Sequence, residues 1–193
     1  MKKIVVFASG SGTNTENIIL YFSNNPIAKV VAVFCNNPQA KVLEKANKLN
    51  VPTTIFAKDD LNTTKISEKL HYYQADLIVL AGFLLKFPAA IIKAYPHKII
   101  NIHPALLPKY GGKGMYGMHV HQAVLDNKEA TTGISIHYVN EHYDEGGLIF
   151  QKNIAIDDCA SAEAIAAKIH QLELANFPQV IERLLDDSIV QEI

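Results

Sequence analysis

The chain reads as an α/β protein: a Rossmann-like open, mostly parallel sheet with helices on both faces and an antiparallel strand pair in the C-terminal half. Three observations predict this. Short apolar, β-branched runs alternate with amphipathic helical stretches through the first 80 residues. The runs are continuous rather than alternating, as in strands covered on both faces. Strand–helix repetition of this kind implies right-handed βαβ units and a parallel sheet.

Ile4 to Ala8 is the first apolar run, and Asn14 to Phe22 follows as an amphipathic helix with Ile18, Ile19 and Phe22 on one side. Val30 to Cys35 is a second strand. Asn37-Pro38 then opens a helical pattern through Leu49, since proline suits a first helical turn. Thr53 to Phe56 is a weak third strand, Leu61 to Tyr73 a helix and Leu77 to Ala81 a fourth strand. Beyond it, Pro88 to Ala94 is a short helix and Lys98 to Ile102 a strand. A glycine-rich, proline-flanked loop runs from His103 to about Met118, and Val120 to Leu125 is helical. Thr132 to Val139 and Leu148 to Ile156 read as two strands around a turn, hence an antiparallel pair. Ser161 caps a long helix running to about Leu185.

With 193 residues the chain suits one domain over 1–193, divided near residue 80. Lysine plus arginine is 18 against 19 acidic residues, so overall charge gives no reason to expect a nucleic-acid or membrane partner. The two cysteines, Cys35 and Cys159, lie far apart and show no metal-ligand spacing. The N-terminal apolar run is too short for a signal segment, and no stretch approaches a membrane span. A soluble, cytoplasmic protein is expected.

Ser9-Gly10-Ser11-Gly12-Thr13-Asn14 lies between the first strand and first helix. Glycines permit a tight turn there, and the helix N-terminus offers unpaired N–H groups to an anion. Ser11, Thr13 and Asn14 add side-chain donors. A capped turn without ligand is the alternative, because neither a Walker lysine nor the third glycine of a dinucleotide fingerprint follows. Asn101-Ile102-His103-Pro104 ends a strand, so Asn101 and His103 project to one side. An amide that can donate to an oxyanion beside an imidazole that can move a proton suits catalysis at the carboxyl end of a sheet. The bland reading of His103 is a structural histidine.

Asp144-Glu145-Gly146-Gly147 reads first as a hairpin turn. A functional role needs Asp144 to approach His103, where a carboxylate would favour the imidazolium. His119 and His121 precede a helical pattern, in which i and i+2 diverge, so no metal site is expected.

Together these segments resemble one family, the folate-dependent phosphoribosylglycinamide formyltransferases. The likeness is carried by Ser9 to Asn14, Leu80-Ala81-Gly82-Phe83 and Asn101 to Tyr110. Gly133 to His137, the Asp144-x-Gly146 turn, Glu173 and Phe177-Pro178 continue it in the same order. The resemblance implies formyl transfer from 10-formyltetrahydrofolate, as co-substrate, to the amine of glycinamide ribonucleotide, in purine synthesis. It implies Asn101, His103 and Asp144 as the catalytic trio, with Asn101 and protonated His103 on the oxyanion and Asp144 keeping His103 protonated. Gly12, Thr13 and Asn14, with His170, Gln171, Leu172 and Glu173, would hold the ribonucleotide. Leu84, Leu85, Lys86 and Phe87, with Asn101 and the stretch Asn140, Glu141, His142, Tyr143 and Asp144, would hold the folate. The partners implied are small molecules, with the protein a monomer or homodimer and no metal.

Three features depart from the family. Its Gly-Phe-x-Arg segment reads Gly82-Phe83-Leu84-Leu85 here, and no arginine stands around Asn62 and Thr63. The loop Gly111 to Gly117 is longer than in many relatives, and its four glycines suit a lid. Competing readings are a formyltetrahydrofolate hydrolase, methionyl-tRNA formyltransferase or another amine N-formyltransferase, such as one acting on sugar nucleotides. A non-enzymatic phosphate or nucleotide-binding module would use the first loop alone.

Overall fold

The computed structural model describes residues 1–186; the last residues of the expected domain lie outside them. The elements run β1 (Lys2–Ala8), α1 (Thr13–Phe22), β2 (Ala28–Cys35), α2 (Lys41–Lys48), β3 (Thr53–Ile55), α3 (Thr64–Tyr73) and β4 (Leu77–Leu80). They continue with α4 (Ala89–Ala94), β5 (Ile99–His103), α5 (Met118–Asp126), β6 (Thr131–Tyr138), β7 (Leu148–Ala155) and α6 (Ala162–Leu185). The strands form one seven-stranded sheet, ordered β3-β2-β1-β4-β5-β6-β7. β1 to β5 are mutually parallel where they pair, while β6 runs antiparallel to both β5 and β7. The expected fold class is the observed one.

Alternation along β1 shows why its apolar run is continuous. Ile4, Val6 and Ala8 face a core closed by α1, α2, α5 and α6, through residues such as Ile18, Val42, Val124 and Ile169. Val5 and Phe7 face the opposite core, closed by Ile66 and Leu70 of α3 and Ile91 of α4. Neither face of the strand meets water.

Two element boundaries differ from expectation. Pro38 lies in a turn, and α2 begins at Lys41 after an extended Ala40. The preceding Asn37 accepts from the Gln39 N–H through its side chain, an Asx-type turn that competes with helix initiation. The segment Lys58–Asn62 is a separate 3₁₀ turn, and Thr63 caps α3 by accepting from Lys65 N. Ser161 does cap the last helix, accepting from Ala164 N at 3.2 Å.

The strand order reverses between β1 and β4, where successive crossovers pass to opposite sides of the sheet. Open α/β sheets leave a crevice at such a point, beyond the carboxyl ends of the strands. Ser9 ties its two lips together: its N–H donates to Gly82 O at 3.0 Å and its hydroxyl accepts from Leu84 N at 3.0 Å. Among the described residues, no helix is long and apolar enough to cross a membrane.

Candidate active site

A cleft of about 630 Å³ opens at this crevice. It is walled by the loop after β1, the segment after β4, the end of β5, the β6–β7 connection and one side of α6.

The chemical centre is built by pairing across strands. β5 and β6 set Asn101 opposite His137 and His103 opposite Ser135. Directly opposed residues in an antiparallel pair share a face, so four polar side chains gather there. Ile100, Ile102, Ile134 and Ile136 turn into the core on the other face. The Ser135 hydroxyl donates to Ala105 O at 2.7 Å and accepts from Leu107 N at 2.9 Å. It thereby fixes the chain leaving His103.

Asp144 enters from the β6–β7 connection. It has φ 57°, a left-handed conformation uncommon outside glycine. Gly146 makes the turn possible, because a Cβ there would stand 1.7 Å from Tyr138 O. Asp144 Oδ2 lies 3.6 Å from His103 Nδ1, and Oδ1 lies 3.6 Å from His137 Nε2. These are close charge contacts, too long for strong hydrogen bonds. The direct partner of Oδ2 is the N–H of Gly112, at 2.9 Å.

Proton positions follow from the fixed partners. His103 Nε2 is 2.7 Å from Tyr110 O, and a carbonyl only accepts, so Nε2 carries a hydrogen. A second proton on His103 therefore sits at Nδ1, facing Asp144. His137 Nδ1 likewise donates to Tyr138 O at 2.8 Å. Its Nε2 then accepts from the Asn101 amide at 3.2 Å, which orients that amide and leaves it a second N–H.

His103 is only 3% exposed, and burial pulls its pKa below the ordinary value. Asp144 and the Tyr110 carbonyl push the other way without overcoming it. Desolvation and the carboxylate thus act on the imidazolium in opposite senses. For Asp144 burial acts upward. It is outweighed by contact with His137, the His103 charge and the Gly112 N–H, so the carboxyl stays below its usual range.

At the other end of the cleft, Asn14 Nδ2 donates to Glu173 Oε2 at 2.8 Å, tying α1 to α6. Asn17 Nδ2 reinforces this on Leu174 O, also at 2.8 Å. His170 Nδ1 stands 3.4 Å from Glu173 Oε2, and that hydrogen bond raises the His170 pKa despite partial burial. Asn14 Oδ1 is buried with no hydrogen-bond partner among the described residues. A buried amide oxygen of this kind is an unfilled acceptor at a cleft wall.

Most of the expected site residues meet in this cleft. Thr13, Asn14, Leu84 to Phe87, Asn101, His103, Asn140 to Asp144, His170 and Glu173 all line it. Gly12, Gln171 and Leu172 do not. Gly12 has φ 70°, and a Cβ there would meet Val42 at 2.5 Å, so its lack of a side chain serves the packing of α2. Gln171 is exposed and Leu172 packs on the core, because successive residues of a helix point about 100° apart. The sequence reading assigned no chemistry to His137, nor to the buried, cleft-lining His121, whose Nδ1 has no partner among the described residues. Alternation of Ser135 and His137 on one strand was the available signal for the first. His119 lies against the Tyr116 ring instead, so the two histidines diverge as expected.

Buried histidines and a carboxylate beside an amide donor, in a cleft that also takes in the start of α1, suit a group-transfer enzyme. The formyl transferase family matches residues 2–181. A phosphoribosylglycinamide formyltransferase of Bacillus subtilis is 38% identical over 191 residues, covering 96% of this chain and 95% of that protein. The chloroplastic phosphoribosylglycinamide formyltransferase of Arabidopsis thaliana is 33% identical, covering 97% of this chain and 67% of its own length. The chain spans 62% of the similarly named Vigna unguiculata protein. A crystal structure of glycinamide ribonucleotide transformylase 1 from Geobacillus kaustophilus superposes with a TM-score of 0.87 at 36% identity, covering 96% of this chain and 99% of that one. This chain belongs to the formyl transferase family, among the phosphoribosylglycinamide formyltransferases.

Proposed function

We propose that the enzyme transfers the formyl group of 10-formyltetrahydrofolate to the amine of glycinamide ribonucleotide, with Asn101, His103 and Asp144 as its catalytic residues. The observation that carries this reading is their convergence, with His137, at one end of a cleft whose other end holds Asn14 and Glu173. The residues fit both substrates. Leu84, Leu85, Phe87 and Val139 supply an apolar wall for a flat pterin, beside the polar backbone of the β6–β7 connection. The start of α1 supplies N–H groups for a phosphate, and Glu173 an acceptor for ribose hydroxyls.

The co-substrate supplies an activated formyl carbon. As the amine attacks it, negative charge develops on the formyl oxygen. The free N–H of Asn101 donates to that oxygen, and so does His103 once Nδ1 is protonated. Each such preorganised donor in a dry site is worth about 3 kcal/mol of barrier. Asp144, ionised and held by Gly112, accepts the proton shed by the amine. Asp144 passes that proton to His103 Nδ1, which faces it, and the charge growing on the oxygen offsets the desolvation that disfavours the imidazolium. His103 then returns a proton to the departing folate nitrogen.

The test supplies the purified protein with 10-formyltetrahydrofolate, with and without glycinamide ribonucleotide, and quantifies formylated amine against free formate. Amine-dependent transfer is the expected result. Formate release independent of the amine would instead make the enzyme a hydrolase.

A further inference from the structure

One short stretch of backbone holds both His103 and Asp144. The Tyr110 carbonyl stands 2.7 Å from His103 Nε2, and the Gly112 N–H donates to Asp144 Oδ2 at 2.9 Å. Between them Gly111 runs close against the same carboxylate residue: a Cβ there would stand 3.3 Å from Asp144 Cβ and 2.6 Å from a Leu107 methyl. The placement of residues 110–112 therefore governs how the imidazole and the carboxylate meet.

This stretch is bent in a way that the chain does not favour by itself. Tyr110 has φ 58°, in the left-handed region that side chains seldom adopt. Such a conformation persists only where its surroundings hold it. The hold lies away from the cleft. The Tyr110 hydroxyl donates to Glu129 Oε1 at 2.8 Å, and Lys109 Nζ stands 2.9 Å from the same oxygen. Glu129 lies between α5 and β6, where its N–H donates to Val124 O at 3.3 Å. Contact with Lys109 and then with the Tyr110 hydroxyl holds the Glu129 carboxyl below its usual range, so it is ionised and accepts. Desolvation and the Glu129 contact raise the Tyr110 phenol, so it keeps its hydrogen and donates. Neither Tyr110 nor Glu129 lines the cleft.

Building on the roles proposed for His103 and Asp144, we infer that Tyr110 and Glu129 are positioning residues whose hydrogen bond latches residues 110–112, fixing the hydrogen of the neutral His103 ring on Nε2 and turning Nδ1 toward Asp144. With the latch released, Tyr110 relaxes toward ordinary backbone angles and its carbonyl leaves Nε2. The neutral ring then has no fixed acceptor to select that tautomer. The loss falls on turnover and not on affinity, because a misdirected donor fails where charge develops in the transition state.

The experiment compares the wild type with Tyr110→Phe, Glu129→Ala and Glu129→Gln by steady-state kinetics and by nitrogen NMR of the His103 ring without substrates. Tyr110→Phe and Glu129→Ala should each lower kcat by about five- to tenfold, with both KM values within about twofold of the wild type. The double variant should fall no further than either single one, since both break one bond. Glu129→Gln keeps an acceptor for the hydroxyl and should recover most of the loss, although it breaks the ion pair with Lys109. The neutral His103 ring should carry its hydrogen on Nε2 in the wild type and in Glu129→Gln, and share it with Nδ1 in the other two. A packing role alone would lower thermal stability without moving that tautomer. Glu129 is partly exposed, so its variants carry the test even if Tyr110→Phe fails to fold. An unmoved tautomer in Glu129→Ala, a loss confined to KM, or no recovery in Glu129→Gln would overturn the latch. A wild type that transfers no formyl group, while the tautomer shifts as described, would overturn the proposed reaction and leave the latch standing.

Discussion

The two halves of the sheet make their parts of the site by different means. In the parallel half, β1 and β4 present backbone and loop groups: the N–H groups at the start of α1 and the segment from Gly82 to Phe87. In the antiparallel half, β5 and β6 present side chains that meet by register, Asn101 opposite His137 and His103 opposite Ser135. A crossover connection fixes where a loop lies, whereas an antiparallel ladder fixes which side chains touch. The proposed phosphate end therefore depends on turns and helix ends. The reacting end depends on four side chains and on the connection that returns Asp144 to them.

Substitutions in the two halves should separate into turnover and affinity effects. The largest loss is expected at the reacting end: His103→Ala and Asn101→Ala should each lower kcat by about 100-fold or more, with small changes in either KM, since oxyanion donors act in the transition state. Near-normal turnover in His103→Ala would remove it from the chemistry. Next, His137→Ala should lower kcat by about tenfold through the freed Asn101 amide, and His137→Gln should recover part of that loss by restoring an acceptor. An effect on KM alone would contradict the positioning role.

A smaller effect is expected at the other end. Glu173→Ala should raise KM for glycinamide ribonucleotide by about 1–3 kcal/mol equivalent while sparing kcat and the folate KM, as loss of uniform binding does. Loss of folate affinity instead would mean that the two ends are reversed. Gly12→Val is a poor probe of the phosphate, because the clash with Val42 would strike folding first. The smallest effect concerns pH. His170 has a raised pKa, so its positive charge is present below that pKa and is lost as pH rises through it. Ribonucleotide affinity should therefore fall modestly as pH rises through it, and His170→Ala should flatten that part of the KM profile. An unchanged profile in the variant would assign the titration elsewhere.

Much of the fold was legible because local patterns determine it. Continuous apolar runs mark β1, β2 and β4, and Ser161 marks the start of α6. Asn101 and His103 were legible because i and i+2 of a strand share a face. The approach of Asp144 was suggested only by resemblance, since the return of the β6–β7 connection depends on Gly146 tucked against Tyr138 O. Alternation along β6 marks the face of His137, but its place opposite Asn101 depends on the register between two strands, which no local pattern encodes. On α6 the resemblance marked a run of four residues, but a helix turns only His170 and Glu173 toward the cleft. The depth of burial of His103, which pulls its pKa down, was hidden for a related reason: only its carboxylate neighbour was visible in outline.

The central claim is that Asp144, placed by the antiparallel half, moves the amine proton without holding either substrate. Steady-state kinetics of Asp144→Asn, with each substrate varied in turn, test it most directly, since the substitution keeps the shape and removes the base. The expected result is a fall of about 100-fold or more in kcat, with both KM values within about threefold of the wild type. A normal kcat, or a loss confined to one KM, would contradict it.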